Sequence, residues 1–310
     1  MTDGVLRDDE RCETVALLAL LRTAPRGVTW GDIAGEVRLV GSAVAVLDRA
    51  RDAQGTLFPD PALDDAVARA DTELAEWEAA CLDLVTVLSP MYPIHLAGVF
   101  DCPPFLFVRG KVVPDDRGMS VVGSRKASTE GLEMARLATR LLAKRDLTVI
   151  AGLAEGIDTA AHREALRIGA RAVAVIGTGI RQYFPVSSRL LQDEIATKGL
   201  VISQFYPDQS PNKTTFPMRN GTMSGYGLAT IVVEASEYSG SRIQARKAAD
   251  HGRPVILSQQ VVAATEWGRE MAQNPWVSVA GDGDSMAAAI DQVLADGSDD
   301  FLKSLGLASA

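Results

Sequence analysis

From residue 119 onward one pattern leaves the chain few folds to adopt. Unbroken apolar runs rich in Val, Ile and Ala recur at 119–122, 147–151, 171–176, 200–203, 229–234 and 254–258, with a seventh at 276–279. Amphipathic stretches between them predict helices at about 130–145, through Arg167, near Ser188–Thr197, from Ser239 onward and from Ser285 to Ala295. The segment from 204 to Arg219 reads as a loop. Strands that do not alternate polar with apolar residues are buried on both faces, and helices between such strands supply the cover. The expectation is a mainly parallel sheet wound on both sides.

Open parallel sheets bind ligands beyond the carboxyl ends of their strands. The unusual residues fall at those ends: Gly123-Ser124-Arg125-Lys126, Gly152 through Gly156 to Asp158, Gly177-Thr178-Gly179, Phe216 to Gly221 with Arg219 and Asn220, and Ser239-Gly240-Ser241-Arg242. Glycines allow close backbone approach, while hydroxyls, N–H groups and guanidinium groups donate to phosphate. The first of these turns also leads into a helix whose N-terminus attracts anions. The reading is a phosphate site. Neither a Gly-x-Gly-x-x-Gly fingerprint after the first strand nor a Gly-x-x-x-x-Gly-Lys-Ser/Thr loop occurs, which disfavours a conventional dehydrogenase or NTPase.

Catalytic groups are scarce. His95, His162 and His251 are the histidines, and no nucleophile elbow or His-x-x-x-His pair accompanies them. Asp158 lies one helical turn before His162, so it either orients the imidazole or caps the helix while the ring packs locally. Glu155 and Glu234 are acid or base candidates, or loop anchors.

The region before 119 differs in kind. Helical spacing is expected at Cys12–Arg22, after Thr29 and Asp32, at Asp48–Ala53 and from Leu63 to Cys81, with a turn-rich link at 54–61. Leu84–Leu88 and Phe105–Val108 read as strands, the latter as edge material. The division expected is a helical region at 1–83, an α/β domain at 84–297 and a tail at 298–310. Charge divides the same way. The net charge is −9, yet residues 119–260 hold 18 basic and 12 acidic side chains, against 11 and 20 before and 2 and 8 after. A basic centre in an acidic frame points to an anionic partner. No apolar run reaches the ~18–20 residues of a membrane span, no signal-peptide pattern opens the chain, and three separated cysteines suggest neither disulfides nor a zinc knuckle. A cytoplasmic protein without membrane contact is expected.

Several motifs resemble the DNA-processing protein A family (DprA, also called Smf). They are Ser-Val-Val-Gly-Ser-Arg-Lys-Ala-Ser at 120–128, Gly-Leu-Ala-Glu-Gly-Ile-Asp-Thr-Ala-Ala-His at 152–162, Phe-Pro-Met-Arg-Asn at 216–220, Val-Val-Glu-Ala-Ser at 232–236 and Ser-Gly-Ser at 239–241. The approach segment from Tyr92-Pro93 to Gly110 is similar too. The resemblance covers roughly 85–260. It implies an extended Rossmann-like fold, no cofactor and no catalysis. It also implies single-stranded DNA held by Ser124, Arg125, Lys126, Arg219, Asn220 and Arg242, a homodimer, and transfer of the strand to the recombinase RecA in natural transformation. The chain departs from the family pattern at Glu155, where Arg or Ser is usual, at Gly221, where a cation is usual, and at Val186-Ser187-Ser188. It also departs after 258, where a Pro-Gly-Ser loop is usual, and no winged-helix tail is expected. Those departures leave a second reading: a free-nucleotide sensor, or a nucleotide-hydrolysing enzyme like the related nucleotide phosphoribohydrolases, with defence as a role open to it.

Overall fold

A computed structural model describes residues 7–53 and 61–297; residues 54–60 of the expected link at 54–61 and the expected tail at 298–310 lie outside the described residues. Helices α1 (Asp8–Arg22), α2 (Trp30–Val40), α3 (Ala43–Ala53) and α4 (Pro61–Ala79) come first. Then follow β1 (Asp83–Thr86), α5 (Ile94–Ala97), β2 (Phe105–Gly110), β3 (Gly118–Gly123), α6 (Thr129–Ala143), β4 (Thr148–Ala151), α7 (Ile157–Arg167) and β5 (Ala172–Val175). The chain continues with α8 (Arg189–Lys198), β6 (Leu200–Ser203), α9 (Thr215–Tyr226), β7 (Ala229–Glu234), α10 (Gly240–Asp250) and β8 (Val255–Ser258). Last come α11 (Gln259–Ala264), α12 (Glu266–Met271), β9 (Val277–Ala280) and α13 (Gly283–Gly297).

The strands form one sheet in the order β1-β2-β6-β5-β4-β3-β7-β8-β9, parallel from β6 to β9 and antiparallel at β1 and β2. This is the expected doubly wound, mainly parallel α/β sheet of Rossmann-like type with helices at its N-terminal side. From β3 the chain steps one way through β4, β5 and β6, then returns to the other side of β3 for β7, β8 and β9. The crevice where direction reverses, at the carboxyl ends of β3 and β7, is where such sheets bind ligands.

Two expectations required correction. Phe105–Val108 is not edge material: β2 lies between β1 and β6, and all four of these residues are buried. Trp77 meets Phe107 edge-on at 4.9 Å and Trp30 meets Phe105 at 5.5 Å, so the N-terminal helices cover this part of the sheet. The loop expected up to Arg219 ends early, because α9 begins at Thr215. Asn212 Oδ1 accepts from the N–H groups of Thr214 and Thr215 at 2.8 and 2.9 Å, and Pro217 sits in the first turn, where its missing N–H costs nothing. Gly225 lets α9 press on the preceding chain: a β-carbon there would lie 2.8–2.9 Å from Leu96 and Val99.

Among the described residues no helix is long and apolar enough to cross a membrane, and no cluster of three or more His, Cys, Asp or Glu could hold a metal ion. Trp77 is 6% exposed; its replacement by alanine should cost about 3–5 kcal/mol. Urea titration checks this, and a loss below about 1 kcal/mol would show that Trp77 contributes little to the helix–sheet joint.

Candidate nucleic-acid interface

Three glycines bring the first two strand ends together by leaving space. Gly123 does not have a positive φ; a β-carbon there would lie 2.5 Å from Ile157 at the start of α7 and 2.8 Å from the Glu234 carbonyl. Gly156 has φ +78°, and a β-carbon would lie 2.2 Å from the Ser124 carbonyl. The Ile157 N–H donates to that carbonyl at 3.2 Å, and the Ser124 N–H donates to the Glu234 carbonyl at 2.7 Å. The ends of β3, β4 and β7 are thus one bonded unit.

Gly152 makes room for an arginine. Arg219, 6% exposed on α9, lays its guanidinium where a Gly152 side chain would go. Its Nη1 donates to the Gly152 carbonyl at 2.7 Å and to the Val175 carbonyl at 2.9 Å, and its Nε donates to Asn220 Oδ1 at 3.1 Å. Asp158 is buried beside it and accepts from the Gly152 and Ala154 N–H groups at 3.0 and 3.4 Å. Burial raises the Asp158 carboxyl above its ordinary value against the opposing pull of Arg219, and burial lowers Arg219 from its own. Asp158 therefore ties the loop before α7, where capping of α7 or orientation of His162 was expected. Burial drives the fully enclosed His162 down to about 4, which keeps it neutral at neutral pH.

Above this floor opens a cavity of about 650 Å³. Gly123, Ser124, Arg125 and Lys126 line it, as do Arg219, Asn220, Ser239, Gly240 and Ser241. Gly152 lines a small adjoining hollow with Arg125, Phe184 and Phe216. The remaining strand-end residues fall elsewhere. Gly177 lies against the Phe216 ring and Gly179 against the Tyr206 and Pro207 carbonyls; Thr178 is 1% exposed, and its carbonyl accepts from Ser203 Oγ. Gly156 packs beneath Arg125, and Arg242 turns to Glu237 at 3.7 Å.

The donor helix is also not the one expected. Glu234 occupies the start of α6: its carboxylate accepts from the Ser128 N–H and hydroxyl at 3.0 and 2.6 Å, while Ser128 Oγ accepts from the Gly131 N–H at 3.0 Å. The protein's own carboxylate thus fills that anion position, and Glu234 acts as an anchor. The uncapped helix facing the cavity is α10, where Ser239 makes no capping bond. Ser239 Oγ and Gln244 Oε1, at the cavity wall, are buried without partners. Among the described residues Arg125 and Lys126 form no ion pair. Arg125 lies over the Phe216 ring at 5.8 Å, and Phe184 meets Phe216 at 5.5 Å. Gln244 of the cavity and Phe184 of the adjoining hollow are residues the sequence reading passed over, whereas Phe216 stood within the strand-end segment 216–221.

Gly221, read as a lost cation, points away from this cavity. A β-carbon there would face Asp101 Oδ2 at 3.4 Å. Asp101 Oδ1 is bonded to His251 Nε2 at 2.6 Å, His251 Nδ1 to Ser224 Oγ at 2.6 Å, and Lys247 Nζ donates to Asp101 Oδ2 at 2.9 Å. The order Ser–His–Asp is that of a nucleophilic triad. Ser224 is 1% exposed and the His251 side chain is fully covered, so no substrate reaches them. The set ties the chain before β2 to α9 and α10.

A larger hollow of about 1080 Å³ among α1–α4 and Tyr206 is lined by Arg22, Arg49 and Arg69 together with Glu36 and Asp65. The β3–β7 cavity differs in setting its exposed cations beside an uncapped helix start and, among the described residues, an unpartnered hydroxyl.

Residues 83–275 match the family model described as DNA recombination-mediator protein A. The chain belongs to this family. It is 38% identical over 172 residues to the DNA processing protein DprA of Streptococcus pneumoniae, a match covering 55% of this chain and 61% of the relative. It is 37% identical to the protein Smf of Escherichia coli, covering 56% and 47%. The matches therefore span about half to three fifths of those relatives' lengths. Among solved structures, DprA from Streptococcus pneumoniae superposes with a TM-score of 0.67 at 27% identity, covering 93% of this chain and 98% of that one. DNA processing protein A from Helicobacter pylori, described for its single-stranded-DNA binding mode, superposes at 0.60 and 20% identity over 68% and 96%, which shows the shared fold. The match contains β3, β7 and α9, so the family's chain segments build the cavity.

Two variants separate floor from rim. Arg219→Ala removes a buried cation and orphans two carbonyls, and should lower stability by about 3 kcal/mol, whereas Arg125→Ala should leave it within about 0.5 kcal/mol. Equal losses in a thermal melt would contradict this division. Partial burial works against the Asp101 carboxylate, but the bonds from His251 and Lys247 outweigh it and hold its carboxyl at about 2. The folded value lies below the ordinary one, so this stabilisation is complete above about pH 4 and fades as pH falls toward about 2. Asp101→Asn should be less stable than wild type at about pH 6 by about 1–2 kcal/mol, with the gap closing across that acid window. A gap of constant size would exclude the carboxylate as its source.

Proposed function

We propose that the β3–β7 cavity binds the sugar–phosphate backbone of single-stranded DNA. The observation that carries the reading is the pairing of two uncommitted cations, Arg125 and Lys126, with an uncapped helix start and an unpartnered Ser239 hydroxyl around one open cavity. Arg and Lys neutralise phosphates and release counterions, and hydroxyl and amide groups set the register. The Phe184–Phe216 pair beside Arg125 offers faces on which bases stack without regard to sequence. The family relationship supports the same reading, since its members are DNA-processing proteins. We infer further that the protein forms a homodimer and hands the strand to RecA recombinase in DNA recombination, including natural transformation.

The cavity favours binding over hydrolysis of a free nucleotide. Its two carboxylates are committed, Glu234 to Ser128 and Asp158 to the loop before α7. Glu155 lines the small hollow and makes a 3.4 Å contact with Ser187 Oγ.

Fluorescence anisotropy with an oligothymidylate and with AMP, NAD and ADP-ribose on the same sample tests the reading. The oligonucleotide should bind at low salt, with an affinity falling steeply as salt rises. Arg125→Ala should weaken it about tenfold and flatten the log–log salt slope by about 0.7. Thermal stabilisation by mononucleotides with no oligonucleotide binding at about 50 mM salt would replace this proposal with the sensor reading.

A further inference from the structure

Helix α7 has a groove on each side, and both begin at Gly156, which lies directly under the Ser124 and Arg125 carbonyls. The two grooves differ in charge. The one toward α8, of about 270 Å³, is lined by Glu155 and Ser187 and shares Arg163 with the other groove, so one carboxylate faces one guanidinium there. The one toward α6, of about 360 Å³, is lined by Arg136, Arg163 and Arg167, with Glu164 as its carboxylate. Glu164 is already neutralised: it accepts from Arg140 at 2.8 Å and from Arg167 at 2.7 Å. Arg136 is paired with Glu133. Four guanidinium groups therefore meet two carboxylates along this side. Arg163 is exposed, and among the described residues its side chain holds no hydrogen bond or ion pair.

We propose that the α6–α7 groove is a second backbone subsite, taking the single strand as it leaves the Arg125–Lys126 rim, with Arg163 as its phosphate contact. This rests on the single-stranded-DNA reading of the main cavity and extends it. The spacing suits a continuous strand. Arg163 follows Gly156 by two turns of α7, about 10 Å along the axis, which is about one or two phosphates farther on in an extended strand. Arg163 stands between the two grooves, and Glu155 gives the path its direction: its carboxylate repels the backbone on the α8 side, while Arg136 and Arg167 line the α6 side alone. The departure at Glu155 thus selects a route. Cation geometry along the groove demands no particular base, so the subsite adds affinity and length dependence without sequence preference.

The experiment compares wild type, Arg163→Glu and Arg163→Lys, as the full chain, on oligothymidylates of about 4 and about 12 nucleotides over a salt series. Arg163 is exposed, and matching thermal melts establish that the variants fold. On the short oligonucleotide all three should bind alike, since it fills only the main cavity. On the long one Arg163→Glu should bind about tenfold more weakly, with a salt slope flatter by about 0.7, while Arg163→Lys should stay close to wild type. Equal affinity and slope for Arg163→Glu on the long oligonucleotide would overturn the subsite and leave the main cavity's assignment standing. Equal weakening on both lengths would also overturn it, by showing a general field effect. Failure of wild type to bind either length would overturn both proposals.

Discussion

The buried guanidinium of Arg219 is the interaction on which the carboxyl edge of this sheet depends. One side chain on α9 holds the carbonyls at the ends of β4 and β5 at hydrogen-bond distance, in space that Gly152 leaves empty. Asp158 offsets part of its desolvation and at the same time fastens the N–H groups of the same turn. A buried charge with directed partners is expensive to lose because every group around it is left unpaired. That cost gives the cavity a fixed floor, and the exposed cations, Arg125 and Lys126, stand at its rim. Buried clamp and exposed rim cation are separate arginines.

The parallel α/β core was legible because its signal is strong and redundant. Six Val/Ile runs, each followed by an amphipathic stretch, fit few other architectures. The gathering of glycines, hydroxyls and cations at the strand ends was legible for the same reason. What did not show was how polar groups would be shared among them. The start of α6 looked open to an anion until Glu234, more than one hundred residues later, was seen to occupy it. Arg219 and Arg125 look alike in sequence; only the depth of α9 in the fold separates a buried clamp from a free cation. Such pairings join residues distant in the chain, and local pattern carries no trace of them.

Helix α9 shows the opposite failure, in which local rules pointed away from the structure. Pro217 falls in a segment that reads as a loop, yet it suits this helix. Proline sits where no N–H is required, and Gly225 allows the backbone to meet Leu96 and Val99. Tertiary packing overrides intrinsic propensity where the reward is a close approach that larger residues would forbid.

The Ser224–His251–Asp101 arrangement has a wider consequence. Its distances alone would satisfy a geometric template for a hydrolase, yet the serine and the imidazole face into packed protein. Proton relays become reactive only when an acyl or phosphoryl centre can approach them, so accessibility is part of a catalytic constellation's definition. With nucleophile and base sealed inside the fold, the same three side chains become a cross-brace.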